Sequence, residues 1–163
     1  MLIRNILEES VRKFDEVKAV KWLNKKEIME RSYGELMENV VSTRKGLLAE
    51  GFEGKHIALI GTSSVEWMES YLGIITGCTT AVPLDAALPC EDLIDLLNRS
   101  DSAALFLSPK LRPYLDAFLE NCPKLQKVWM LQEEVEDAPA KVYGIGELRN
   151  AGKSASADSC LLY

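Results

Sequence analysis

Soft metal ligands are scarce in this chain: one histidine, His56, and four cysteines spread along 163 residues. Cys78, Cys90, Cys122 and Cys160 form no Cys-x-x-Cys pair, so no zinc-binding spacing exists. They read as buried or incidental thiols of a reducing compartment. Basic charge is also short, with 19 Lys and Arg against 25 Asp and Glu for a net charge of −6. The small clusters Arg12-Lys13 and Lys25-Lys26 are closely followed by acids, which argues against nucleic acid or an anionic membrane as partner. No apolar run approaches the roughly 18 residues a bilayer span needs. Met1-Leu2-Ile3-Arg4 lacks the layout of a secretory signal, so the expected location is cytoplasmic. Aromatic residues make up 7% of the chain, and Trp22, Trp67 and Trp129 fall on three separate elements, as core packing requires and a base-stacking platform does not.

Glycine motifs for phosphate are missing as well. Gly61 is the only glycine in the first strand-to-helix turn, which leaves the dinucleotide fingerprint unmet. Gly146 to Ser154 approximates a P-loop but has five residues between its glycines where four are needed, and it overlaps a helical pattern. His56 has no Ser or Cys nucleophile motif nearby and reads as a surface or hydrogen-bonding residue. Glu133, Glu134, Glu136 and Asp137 lack the spaced acids and central glycine of a calcium loop, so they read as a solvated acidic loop.

What is present is a strict alternation of apolar strands and helices, and 47% hydrophobic content is enough for a full core. Ile57–Ile60, Thr80–Leu84, Ala103–Leu107 and Val128–Leu131 are apolar throughout, which belongs to a parallel sheet covered on both faces. Helices are expected over 65–76, with Val65, Met68, Tyr71, Leu72 and Ile75 inward, and over 91–98. Another, ending near 121–123, carries Pro113 in its first turn. Upstream, residues 2–14 form an amphipathic helix and 17–23 with 27–33 a hairpin turning at Asn24-Lys25-Lys26. A further helix over 34–50 buries Leu36, Val40, Val41, Leu47 and Leu48 and stops at Gly51. Ser32 with Glu35, and Ser63 with Glu66, have capping-box spacing. Residues 132–158 read as a surface connection with a short helix at 145–150, and 158–163 as a strand. The expected fold is α/β: a three-layer, Rossmann-like, mainly parallel sheet with helices on both faces, preceded by an N-terminal helix and a β-hairpin.

Gly54-Lys55-His56-Ile57-Ala58-Leu59-Ile60-Gly61, Glu66-Trp67, Tyr71-Leu72-Gly73, Gly77 and Val82-Pro83-Leu84-Asp85 resemble the N-terminal region of the adenylate-forming (AMP-binding) superfamily. Ser32-Tyr33-Gly34-Glu35-Leu36 is similar to that family's upstream T/S-Y-x-E-L segment, and Leu88-Pro89, Glu91, Leu93, Ser100 and Ala103-Ala104-Leu105 continue the likeness. Departures are Ser63 or Ser64 where Asn is common, and Ala86 where Pro often follows the Asp.

The resemblance is strongest to bacterial acyl-CoA synthetases, including long-chain fatty acid CoA ligases. It implies a parent that adenylates a carboxylic acid with ATP and magnesium and then forms a thioester with CoA. It also implies that residues 1–163 are the N-terminal part of the large AMP-binding domain, stopping before the TSGTTGxPKG phosphate loop. No catalytic, cofactor-binding or metal residue is then expected among them, and the fragment alone should be inactive and should self-associate. Glu66, Trp67, Pro83, Leu84 and Asp85 are read as scaffold, with Asp85 at a strand end near the crevice. A luciferase-like or peptide-synthetase adenylation parent, and a free-standing non-catalytic module binding a partner or ligand, stay open as alternatives.

Overall fold

The computed structural model describes residues 2–155. In chain order they form α1 (Ile3–Phe14), β1 (Lys18–Asn24), β2 (Glu27–Ser32), α2 (Tyr33–Ala49), β3 (His56–Ile60), α3 (Val65–Ile75) and β4 (Thr80–Leu84). Then come α4 (Cys90–Arg99), β5 (Ser102–Leu107), a 3-10 segment (Pro109–Tyr114), α5 (Leu115–Asn121), β6 (Lys127–Met130), β7 (Val142–Gly144) and α6 (Ile145–Ser154). Strands β1 and β2 pair antiparallel with each other; the other five form one parallel sheet in the order β4-β3-β5-β6-β7. The strand expected at 158–163 lies outside the described residues.

The inner strands β3, β5 and β6 carry unbroken apolar runs because both of their faces are covered, whereas edge strand β4 buries none of its residues. Along β3, Ala58 and Ile60 point into a core completed by Leu93 and Leu97 of α4 and Leu115 and Phe118 of α5. Their neighbours Ile57 and Leu59 point the other way, into a core with Leu47 of α2, Ile74 of α3 and Leu148 of α6. Trp129 of β6 anchors this second core, its ring 5.4 Å from the rings of both Phe52 and Phe106. At the edge, Pro83 of β4 pairs with Leu59 and is exposed.

Helix ends follow from local chemistry. The Glu35 backbone N–H donates to Ser32 Oγ at 3.2 Å while the Ser32 N–H donates to Glu35 Oε2 at 2.7 Å, so the expected capping box forms. At the other end of α2, Gly51 takes a φ of +79° and Phe52 N–H reaches back to the Leu47 carbonyl, a Schellman stop. The second expected box does not form. Helix α3 starts at Val65 as expected, but its cap is Ser64 and not Ser63, and Ser64 Oγ accepts from the Trp67 N–H at 3.1 Å.

Other expectations are corrected by packing. The buried face of α3 is Val65, Glu69, Ser70, Gly73 and Ile74, while Met68, Tyr71, Leu72 and Ile75 are half-buried. Gly73 draws this face inward, because a Cβ there would lie 2.8 Å from the Thr43 methyl of α2. Helix α1 buries no residue, leaving Leu2, Ile3, Ile6 and Phe14 exposed. Pro113 lies in the 3-10 segment ahead of α5. The connection after β6 contains β7, and α6 runs four residues beyond the expected end at 150. Gly146–Ser154, the P-loop-like stretch, is helix, and its glycines serve packing: a Cβ on Gly152 would collide with the Ser42 carbonyl oxygen and lie 2.7 Å from the Gly46 nitrogen. Cys90 and Cys122 are free thiols, but Cys78 is disulfide-bonded, against the expectation of incidental thiols.

Glu69 is fully buried and carries an ionic network. Its Oε1 accepts from Arg31 Nη1 of β2 and, at 3.2 Å, from Asn39 Nδ2 of α2; its Oε2 accepts from Arg149 Nη2 of α6 at 2.9 Å. Arg149, itself 4% exposed, also reaches Glu133 Oε1 at 3.3 Å and Thr43 Oγ1 at 3.4 Å. A carboxylate taken out of water is tolerated only with this many donors.

Three outcomes are expected. Glu69→Gln leaves two guanidinium groups without their carboxylate and is expected to lower unfolding free energy in urea by about 3–5 kcal/mol. Pairing Glu69→Met with Arg149→Met should recover much of that loss, and a single variant within about 0.5 kcal/mol of the parent would show the network to be dispensable. Gly152→Ala should cost about 1–3 kcal/mol or more in the same assay, because two backbones must separate. The third is pH-linked. The Ser32 backbone N–H holds the Glu35 carboxyl below its ordinary value of 4.5. A folded value below the unfolded one adds stability above that pH and loses it as pH falls through the lowered value. Glu35→Gln should therefore flatten this part of the acid limb in a plot of denaturation midpoint against pH, and an unchanged limb would contradict the assignment.

Candidate functional site

Ligands of open α/β sheets sit outside the carboxyl ends of the strands, where the strand order reverses. Here the reversal lies between β3 and β5. Gly61 follows β3 and Ser108 follows β5, and the Ser108 N–H donates to the Ile60 carbonyl at 2.9 Å. A Cβ on Gly61 would lie 2.9 Å from the Ser108 Cβ and 3.2 Å from Trp67 Cδ1. Glycine is thus what lets the Trp67 ring lie against the strand ends. The ring stacks on Tyr71, with centroids 5.4 Å apart and planes 12° from parallel. This turn holds an indole where a dinucleotide fold would hold pyrophosphate.

The hairpin β1–β2 stands beside this end of the sheet and leaves two cavities. One, of about 410 Å³, lies between Val20, Lys21 and Trp22 of β1 and Ser64, Val65, Trp67 and Met68 at the start of α3. The other, of about 320 Å³, lies between Trp22, Leu23 and Asn24 and Glu66, Leu131, Gln132 and Glu133. Trp22 borders both, and the Arg31 guanidinium sits 5.4 Å from its ring centroid. Arg31 is also the hairpin's link to buried Glu69, so the position of this wall is set by the ionic network. Trp129 is the fully buried core tryptophan, Trp67 is half-buried and packs against that same core while bordering the crevice, and Trp22 is a half-buried crevice residue outside it.

The residues singled out in the sequence scatter. Glu66 and Trp67 border the crevice, whereas Pro83, Leu84 and Asp85 stand at the far edge on β4 and its end. Asp85 is exposed and its Oδ1 accepts from the Ala87 N–H at 2.9 Å, forming a turn. His56, at the opposite end of β3, bonds through Nδ1 to the Ser100 carbonyl at 2.6 Å. Glu133 is tied to Arg149, while Glu134, Glu136 and Asp137 are exposed. Burial pushes the Cys122 and Cys90 thiols above their ordinary value, with Glu91 adding to the shift at Cys90. Neither is an activated nucleophile. Arg31, Glu69 and Arg149 were not singled out in the sequence. The one signal for them was an acid and an arginine placed on helix faces that had to be buried.

Among the described residues no three His, Cys, Asp or Glu side chains gather closely enough to hold a metal ion. The first cavity is bordered mainly by apolar side chains and tryptophans, whereas the second sets Asn24, Glu66, Gln132 and Glu133 beside Trp22, Leu23 and Leu131; Lys21, at the first, lies 3.3 Å from Glu30. No described helix is long and apolar enough to cross a membrane.

Comparison with known proteins places this architecture. The coronafacic acid ligase of Pectobacterium brasiliense superposes with a TM-score of 0.82 at 20% identity, covering 92% of this chain and 29% of that one. An anthranilate CoA ligase in complex with anthranoyl-AMP gives a TM-score of 0.76 at 16% identity, covering 90% and 26%. The N-terminal domain of FACL13 from Mycobacterium tuberculosis gives 0.74 at 19% identity, covering 97% and 37%. The chain thus spans little more than a third of these structures' length at most, and such identities speak for fold alone. No curated relative matches the sequence. The AMP-binding enzyme family, in contrast, matches from residue 7 to residue 160, and with nearly every element of the fold inside that match, the chain belongs to this family.

Proposed function

We propose that the chain serves as the N-terminal part of the large AMP-binding domain of an ATP-dependent, AMP-forming acid–CoA ligase. The family match across residues 7–160 carries this reading. Support comes from the neighbours' own descriptions: a CoA ligase holding anthranoyl-AMP, a putative long-chain fatty acid CoA ligase of Rhodopseudomonas palustris, and a carboxylic acid reductase didomain of Segniliparus rugosus bound to AMP. In this chemistry a carboxylate attacks the α-phosphorus of ATP, the bond to pyrophosphate breaks, and a CoA thiol then displaces AMP from the acyl carbon.

On this reading the charge developing on the phosphates would call for a magnesium ion and positioned donors, which the reading does not assign to residues 1–163. The chain contributes the sheet, the indole that closes its reversal point, and the hairpin wall. No catalytic, cofactor-binding or metal-ligating role falls to its own side chains. The proposed setting is the cytoplasm, and the isolated chain is expected to self-associate through its uncovered apolar residues.

Acid-dependent exchange of pyrophosphate into ATP tests the reading. The 163-residue chain is expected to show none, with or without magnesium and CoA, whereas a product whose reading frame continues into a Thr/Ser/Gly-rich phosphate loop should exchange with at least one carboxylic acid. Exchange by the 163-residue chain itself would overturn the inactive-fragment reading. A frame that ends at Tyr163 would favour the rival, a non-catalytic binding module.

A further inference from the structure

The outward edge of β2 is complementary to itself. Beyond the turn at Lys25-Lys26, Asn24 faces Glu27, and the pairing runs back through Leu23–Ile28, Trp22–Met29 and Lys21–Glu30. A two-residue turn closes on a pair that exchanges both backbone bonds, and such pairs alternate with unbonded ones along an antiparallel ladder. The backbone groups of Ile28 and Glu30 therefore point away from β1. Among the described residues β1 and β2 pair with no third strand, and every residue from Leu23 to Glu30 is exposed, Leu23 to 68% and Ile28 to 73%. An open edge with apolar side chains recruits another strand. This edge is also fixed in advance, because Arg31 ties β2 to buried Glu69, so association does not have to order it.

We propose that the edge of β2 is a two-fold interface with a second copy of this chain, β2 running antiparallel to β2 with the axis through Ile28. In that register Ile28 exchanges both backbone bonds with Ile28 of the second copy, and Lys26 and Glu30 of each copy face Glu30 and Lys26 of the other. Leu23 and Ile28 lie across from each other on one face of the hairpin, so the two copies join them into a single apolar stripe over four strands. Other registers are poorer. An axis through Glu27 or Glu30 sets that acid opposite itself, and one through Met29 sets Ile28 opposite Glu30 and Glu27 opposite Arg31, which is already committed to Glu69. Glu30 has room for the added lysine, since Lys18 and Lys21 stand 3.6 and 3.3 Å from it, farther than a close hydrogen bond. The contact is isologous and closes on itself, which makes a dimer and not a fibre. It needs nothing from the ligase chemistry and specifies which residues meet when the chain self-associates.

Sedimentation velocity of the 163-residue chain over a concentration series should show one step, from 18.2 kDa to a species of twice that mass. Lys26→Glu places two pairs of acids across the axis and Glu30→Lys two pairs of lysines, so each variant alone should dimerise about tenfold more weakly. An equimolar mixture of the two variants restores both opposite-charge pairs and should regain most of that loss as a mixed dimer. Hydrogen exchange on the unsubstituted chain reads the register without any variant: the amides of Ile28 and Glu30 should gain protection as concentration rises, while those of Glu27 and Met29, already bonded within the hairpin, should change less. A chain that stays monomeric throughout, variants that associate as the parent does, a mixture no tighter than its components, or concentration-dependent protection confined to α1 or another segment each overturns the proposal.

Discussion

A carboxylate buried without solvent must be met by cations and amide donors from every side, and in this molecule that demand falls on Glu69. Four parts of the chain answer it directly or through Arg149: the hairpin through Arg31, α2 through Asn39 and Thr43, α6 through Arg149 and the connection after β6 through Glu133. Dispersion forces would accept several rotations of α3, since Met68, Tyr71, Leu72 and Ile75 form a plausible apolar face of their own. One charge selects among them. Helix α3 turns its acid inward, its aliphatic side chains come to lie at half-buried margins, and Trp67 is carried to the strand ends. Replacing such a network by apolar side chains can preserve stability, so its value here is orientation more than energy.

That choice also explains which parts of the fold were legible in the sequence. The parallel strands were, because burial on both faces writes an unbroken apolar run into residues such as Ile57 to Ile60. The Ser32–Glu35 box was too, being a local device complete within four residues. Features set by distant contacts were not. The inward turn of Glu69 depends on Arg149, 80 positions away, and Gly73 matters because of Thr43. Strand β7 is three residues long and carries no run of its own; it exists because β6 offers a partner. The spacing of Ser63 and Glu66 fitted a box as well as Ser64 fits its present role, and only the backbone geometry of the turn separates them.

The site was legible as a place more than as a set of residues. Alternation of strands and helices locates the carboxyl ends of a sheet, and the family likeness names the family to which such a sheet belongs. Which side chains stand there follows from glycines: without a side chain, Gly61 admits an indole, and Gly146 and Gly152 let the connection after β6 and helix α2 approach α6. Glycines that look like phosphate contacts in the sequence are spent on close packing between protein segments.

One proline governs where the sheet can grow. Sheets accept proline where its nitrogen faces away from the ladder, and Pro83 sits in β4, the outer strand beside β3. Its outward side lacks a donor in mid-strand. Any strand laid against β4 would meet a missing hydrogen and a projecting ring at the centre of its register. The sheet is therefore blunted on that flank, and template-like pairing that turns a parallel sheet into an aggregation seed is discouraged there by a single imide nitrogen.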